Sequence, residues 1–383
     1  TVTDLATGDV LKVLAGATAT VNDVAAFVAT ALTSNAGTAT LNAASAGGAI
    51  DMRLASGTAG FALVGGAGVD TLIGSKLNDT LTGGAGDTLT GFGGIDTYNI
   101  TGGTVDVRNS IAKGAGNGFT SVTSTLSLAN GSLDLNGFSI GTSTRPINNV
   151  QLESGTLRNV AEINGGGALV KTTAGTLILE GTHGFTGAFT IADGTLQVGT
   201  GLDSGTLGLG AVVNNTVLIF NRAGTYAAAN AISGPGTLTL NGTGTIVLTG
   251  ASSYAGLTTV SSGLLAVGNS TALGNTTGGT LIANGAALEL RGGIAVADEA
   301  LAVTGTGIGS TGALRNLSGV NSFGGTVTLG GATLIQSDAG TLTLSGAVGG
   351  AARRPAWRAG WATSANTFPA RWCRCCSAMP WSA

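Results

Sequence analysis

Cysteine and tryptophan are absent from the first 350 residues of this 383-residue chain; Cys373, Cys375, Cys376 and Trp357, Trp361, Trp372, Trp381 all fall in the last 33. A disulfide framework is therefore excluded over the main body, and the tail cluster matches no standard zinc spacing and has no histidine beside it. Only one histidine, His183, occurs in the whole chain, so a two-histidine metalloprotease motif is excluded. Charged residues make up 9% and net charge is −3. Setting aside Arg353, Arg354, Arg358, Arg371 and Arg374 leaves about −8 on residues 1–350, which speaks against nucleic-acid binding. No apolar run approaches the roughly 20 residues of a membrane helix. The first residue is Thr1, with neither an initiator methionine nor a secretory signal, and the expectation is an internal piece of a longer precursor.

What is present is glycine, 68 residues of it, set between short alternating runs such as TLTLNGTGTIVLTG (Thr237 to Gly250). Aliphatic residues alternating with Thr, Ser and Asn have the period of strands buried on one face. The pattern is also repetitive. Residues 175–199 return 69 positions later at 244–268 with ten of 25 positions identical, and with Leu177/Ile246, Ile178/Val247, Phe185/Tyr254 and Ile191/Val260 as conservative pairs. A unit of this size cannot bury its apolar face alone, so an all-β solenoid of stacked coils is expected.

Four stretches divide the chain. Residues 1–56 read as a lead-in that caps the stack, where Val24, Phe27, Val28, Ala31 and Leu32 at helical spacing behind Asn22 and Asp23 predict a short helix. Residues 57–103 contain a nine-residue period: GGAGVDTLI (Gly65 to Ile73), GSKLNDTLT (Gly74 to Thr82), the shorter GGAGDTLT (Gly83 to Thr90) and GFGGIDTYN (Gly91 to Asn99). Residues 104–350 carry the longer repeat. Residues 351–383 break into Arg, Ala, Pro, Trp and Cys and read as an out-of-frame tail, although Ser364 to Phe368 puts an aromatic where an in-frame repeat would have one.

The nine-residue period resembles the RTX calcium-binding nonapeptide, which implies a short parallel β-roll with Leu72, Leu81, Leu89 and Tyr98 inside. The resemblance implies calcium as cofactor, held by Asp70, Asp79, Asp87 and Asp96 with the turn glycines Gly66, Gly68, Gly84 and Gly86. Successive nonapeptides turn on opposite sides, which pairs Asp70 with Asp87 and Asp79 with Asp96. Hard cations take six to eight oxygens, and stacked Gly-rich turns offer carbonyls between the carboxylates. The competing reading is of tight turns in which each Asp stabilises its own backbone.

The longer unit is Leu169-Val-Lys171, then GTLIL (Gly175 to Leu179), Phe185-x-Gly187, Thr190-Ile191 and Gly194-Thr-Leu196-x-Val198. It resembles the passenger-associated repeat of bacterial autotransporters, closely over 165–199 and 236–274 and loosely over the rest of 104–350. The resemblance implies a right-handed parallel β-helix in an exported passenger, working outside the cell or at the outer-membrane surface. It also implies a C-terminal membrane barrel, which these residues do not supply. Leu177, Leu179, Ile191, Leu196 and Val198 are expected inside, and Lys171 outside.

No catalytic residue is assigned. His183 is read as a solvated turn residue, and Leu202-Asp-Ser-Gly205 lacks the glycine of a nucleophile loop. The acids of 104–350 are scattered, with Glu289, Asp298 and Glu299 the only local group. These readings favour a non-enzymatic structural and interaction segment of an adhesin whose partners are host or bacterial cell surfaces or glycans. A β-helical carbohydrate-active enzyme and a passive spacer are the alternatives.

Overall fold

The computed structural model describes residues 2–84, 87–92, 96–100, 104–106, 125–144, 146–350 and 366–369. They fall into two units, Thr1–Ala188 and Phe189–Ala383. Each is a parallel β-solenoid, and among the described residues the only helical element is the 3-10 turn Ile308–Ser310.

In the first unit one sheet runs through seven successive coils as Thr18–Val24, Thr38–Ala43, Phe61–Val64, Thr80–Gly83, Thr97–Ile100, Thr125–Leu128 and Asn149–Leu152. A second sheet stacks Ala26–Val28, Ala49–Asp51, Thr71–Ile73 and Thr88–Thr90. A third, of two-residue strands, holds Lys12–Val13, Ser34–Asn35 and Ser56–Gly57. Lys12 pairs with Ser34 and Ser34 with Ser56, so these coils take 22 residues. Ala62 pairs with Thr80 and Thr80 with Thr97, so the nonapeptide coils take 18 and then 17. The third side has dropped out and the nonapeptides alternate between the two remaining sheets. Strands of the lead-in and of the nonapeptides share these ladders without a break at residue 57.

The predicted helix in the lead-in does not form. Thr18–Val24 and Ala26–Val28 are strands, with Val24 and Phe27 buried while Val28 and Leu32 are exposed. A bulge lies between Val21 and Val24, and Asp23 adopts φ 59° within it. The extra residue moves Val24 back to the inner face beside Val21, and the corner at Ala25 does the same for Phe27, which counterfeits a helical period of three.

In the second unit the longest sheet stacks Thr195–Val198, Val217–Phe220, Thr237–Leu240, Thr258–Val260, Thr280–Ile282, Leu301–Gly305, Val327–Thr333 and Val348–Gly349. Register places identical columns inside: Val198, Phe220, Leu240, Val260, Ile282 and Val303 form one, all essentially without solvent contact. A second sheet stacks Thr225–Ala228, Thr245–Leu248, Leu264–Val267, Ala287–Arg291, Leu314–Ser318 and Ile335–Ser337. Each fully buried aliphatic side chain in such columns contributes about 1.5–3 kcal/mol before entropy is charged against it. Leu177 and Leu179 in the first unit and Ile191, Leu196 and Val198 in the second are all inside, as their alternation required.

Of the tail, only Asn366–Pro369 is described; it pairs with Thr341–Leu344, antiparallel where the other described pairings are parallel. The rest of the segment read as out-of-frame lies outside the described residues.

Candidate functional site

The four aspartates occupy the two corners between the sheets of the nonapeptide coils, paired as their spacing required. Asp70 and Asp87 share one corner: the backbone N–H of Asp70 donates to Asp87 Oδ1 at 2.8 Å. Asp79 and Asp96 share the other, with the N–H of Asp79 donating to Asp96 Oδ1 at 2.9 Å. Asp70, Asp79 and Asp87 are buried.

Their oxygens are engaged with backbone amides. Asp70 Oδ1 accepts from Gly48 N at 2.6 Å and Oδ2 from Gly66 N at 2.7 Å. Asp87 Oδ2 accepts from Gly84 N at 2.6 Å. Asp79 Oδ1 accepts from Phe61 N at 2.7 Å, and Oδ2 from both the amide and the hydroxyl of Ser75, at 2.5 and 3.0 Å. Gly66 and Gly84 are thus N–H donors to the carboxylates, whereas Gly68 lets the chain approach the backbone of Gly47, where a Cβ would stand 2.2 Å from its nitrogen. Gly86 lies outside the described residues.

Burial governs the electrostatics. Desolvation raises Asp79 and Asp87 above the usual carboxylate range, and pushes Asp96 up to about 8. The only lysine of the nonapeptides, Lys76, is exposed. Two groups of residues were not among the expected site residues. Ser75 acts through its hydroxyl. Gly65, Gly74, Gly83 and Gly91 lie directly against the carboxylates, the signal being the glycine that opens each nonapeptide.

These residues, as placed, do not fit a calcium ion. Each oxygen of Asp70 and Asp87 already accepts one amide hydrogen, so half of the lone-pair sites of these carboxylates are committed to the backbone. Gly65 packs closely against both carboxylates: a Cβ there would stand 2.3 Å from Asp87 Oδ2 and 3.0 Å from Asp70 Oδ2. Among the described residues no three His, Cys, Asp or Glu side chains converge as metal ligands.

A second polar group lies in the second unit. The inner column Leu196, Leu218, Leu238 continues as Thr258 and Thr280 before returning to Leu301. Thr258 Oγ1 lies 2.7 Å from the Tyr254 hydroxyl, and Thr280 donates to Glu299 Oε1 at 2.9 Å. All four residues are buried, and desolvation pushes Glu299 up to about 7. Asp298, its neighbour, is exposed, and Glu289 sits mid-strand in ion pairs with Arg291 and Arg315. The acidic group seen in sequence is therefore split between interior and surface.

Two expectations are corrected. Lys171 is fully buried, because Leu169–Lys171 turns Val170 outward; its methylenes join the core while Nζ donates to the carbonyl of Thr173. His183 is buried rather than solvated: Nδ1 accepts weakly from Val160 N at 3.5 Å, the ring lies 5.6 Å from that of Phe185, and desolvation lowers its pKa to about 4. In the loop Leu202 to Gly205, Asp203 Oδ1 is 2.9 Å from Nη2 of Arg222, which spans the loop.

Comparison with known families adds the decisive observation. Residues 169–198, 238–267 and 334–349 match the passenger-associated-transport-repeat model. These three segments are similar to passenger-associated-transport repeats. A stretch of 82 residues is 45% identical to the adhesin BmaC autotransporter of Brucella suis biovar 1 (strain 1330). That stretch covers 21% of this chain and 2% of the relative, so the chain spans only a small fraction of that protein's length. No solved structure matches.

Proposed function

We propose that this chain is a structural and interaction segment of a large autotransporter-like adhesin, displayed at the bacterial surface or secreted, with no catalytic activity of its own. The passenger-associated-transport repeats carry this reading, supported by the identity shared with a protein named as an adhesin. The solenoid turns uncharged polar side chains outward on successive strands of one sheet: Thr80 and Thr82, Thr97 and Asn99, Thr125 and Ser127. Such rows offer hydroxyl and amide groups at a strand spacing of about 4.8 Å, suited to many weak contacts with glycans or cell-surface proteins. Cleavage of glycans calls for a pair of available carboxylates. Here Glu289 is held between arginines and Glu299 faces the interior, which disfavours the enzyme reading.

The test is to coat beads with the purified chain and count their attachment to epithelial cells and to bacteria, beside beads carrying an unrelated β-solenoid. Saturable attachment above the control, competed by soluble chain, is expected. Attachment equal to the control on both surfaces, or release of oligosaccharides from polysaccharide substrates, would overturn the proposal.

A further inference from the structure

The corners that resemble calcium sites hold together by a different device. We propose that Asp70, Asp79, Asp87 and Asp96 form a metal-independent capping ladder, in which carboxylates bind the backbone amides of neighbouring coils and no calcium ion enters.

The connectivity is the first argument. Asp70 reaches back to Gly48 N and Asp87 to Asp70 N, while Asp79 reaches back to Phe61 N and Asp96 to Asp79 N. Each of these bonds joins one coil to the coil before it, spanning 22, 17, 18 and 17 residues. In three of the four aspartates the second oxygen secures the local turn, through Gly66, Ser75 or Gly84. These four amides stand at or just before the start of a strand, and a buried amide left unpaired is costly. The carboxyl oxygens satisfy these amides whether the group is ionised or, as at Asp96 at neutral pH, largely protonated, because the C=O oxygen still accepts.

Space is the second argument. Gly74 stands against Asp79 as Gly65 does against Asp70 and Asp87, with a Cβ-to-Oδ2 distance of 2.7 Å, and Gly91 stands closer still to Asp96. In a calcium turn the glycine would leave its carbonyl free and the carboxylate facing an open centre. Here glycine is required because a carboxylate lies on its α-carbon. The inference is independent of the adhesin reading, since either can fail alone.

The test uses the full 383-residue chain. Thermal unfolding is followed by circular dichroism in chelator and in millimolar calcium chloride, and amide exchange is measured at Gly48, Phe61, Asp70 and Asp79. The expected result is one unfolding midpoint in both media, with the four amides protected in chelator. Asp70→Asn leaves one oxygen acceptor and turns an amine toward the other N–H. It should speed exchange at Gly48 or Gly66 by roughly tenfold or more and leave Phe61 unchanged. Gly65→Ala should loosen the Asp70 and Asp87 corner equally in both media. A midpoint that rises saturably with calcium, protection that appears only with calcium, or a Gly65→Ala defect confined to calcium would overturn the proposal. So would unchanged exchange in Asp70→Asn. If that variant unfolds globally, Gly65→Ala and the wild-type comparison still decide.

Discussion

Glu289 Oε2 lies 3.1 Å from Nη1 of Arg315, its cross-strand neighbour one coil further on. Arg291 holds the other oxygen at 2.5 Å, and Arg315 extends the chain of charges to Asp338. The Glu289 carboxylate is almost fully buried, with one arginine on each oxygen. Arg315→Ala should therefore destabilise the second unit by about 1–3 kcal/mol, measured by urea unfolding, because it leaves one buried carboxylate oxygen without its partner while Arg291 keeps the other. Glu289→Gln should cost less, since it removes the charge together with the need for its partner. Equal costs would mean that the pairs are solvent-screened and contribute little.

Glu299 makes the second unit sensitive to alkali. Burial raises its folded pKa to about 7, above the ordinary value of 4.5, so the folded state binds the proton more tightly than the unfolded chain. The stabilisation is complete below the unfolded value and disappears as pH rises through about 7. The unfolding midpoint of the second unit should fall between about pH 5 and pH 8. The Thr280 hydroxyl, which donates to the carboxylate, partly opposes the effect of burial, and Glu299→Gln, which keeps an oxygen for Thr280, should flatten this part of the profile.

His183 has the opposite sign. Its folded pKa is lowered to about 4, so the stabilisation present above the ordinary value of 6.5 is lost as pH falls toward 4. As the only histidine, it gives a single proton NMR titration, expected below pH 5. A midpoint near 6.5 would place the ring in water. Ser252 holds the equivalent repeat position, and its hydroxyl accepts from Ile232 N at 3.2 Å, much as His183 accepts from Val160 N. His183→Ser should accordingly cost less than His183→Leu, which has no acceptor.

Gly256 sits where one coil touches the next. A Cβ there would lie 2.1 Å from the carbonyl oxygen of Gly236, which is backbone and has little room to move. Gly256→Ala should destabilise the second unit by about 2–3 kcal/mol in denaturant unfolding. A loss below about 0.5 kcal/mol would mean that the coils separate easily at this corner.

Alternation of Leu, Ile and Val with Thr made the strands legible, and Leu177, Leu179, Ile191, Leu196 and Val198 lie inside as that alternation requires. The 69-residue return exposed the repeat, and all but the last residue of each copy lies within a matched segment. Pairing of Asp70 with Asp87 and of Asp79 with Asp96 followed from the nine-residue period together with the roll that the RTX resemblance implies. The Val24 and Phe27 spacing misled because a bulge with Asp23 at positive φ adds a residue that no period-two count contains.

Sequence by itself determined the strands and their repetition, because these depend on periods of two and nine residues and on the 69-residue return. Tertiary structure alone decided what the corner side chains do. Whether Lys171 and His183 point inward, whether a coil has three sides or two, and whether Asp70 meets the amide of Gly48 all depend on the coil stacked beside it. That neighbour lies about twenty residues away, and its backbone groups present the same N–H and C=O whatever their side chains are.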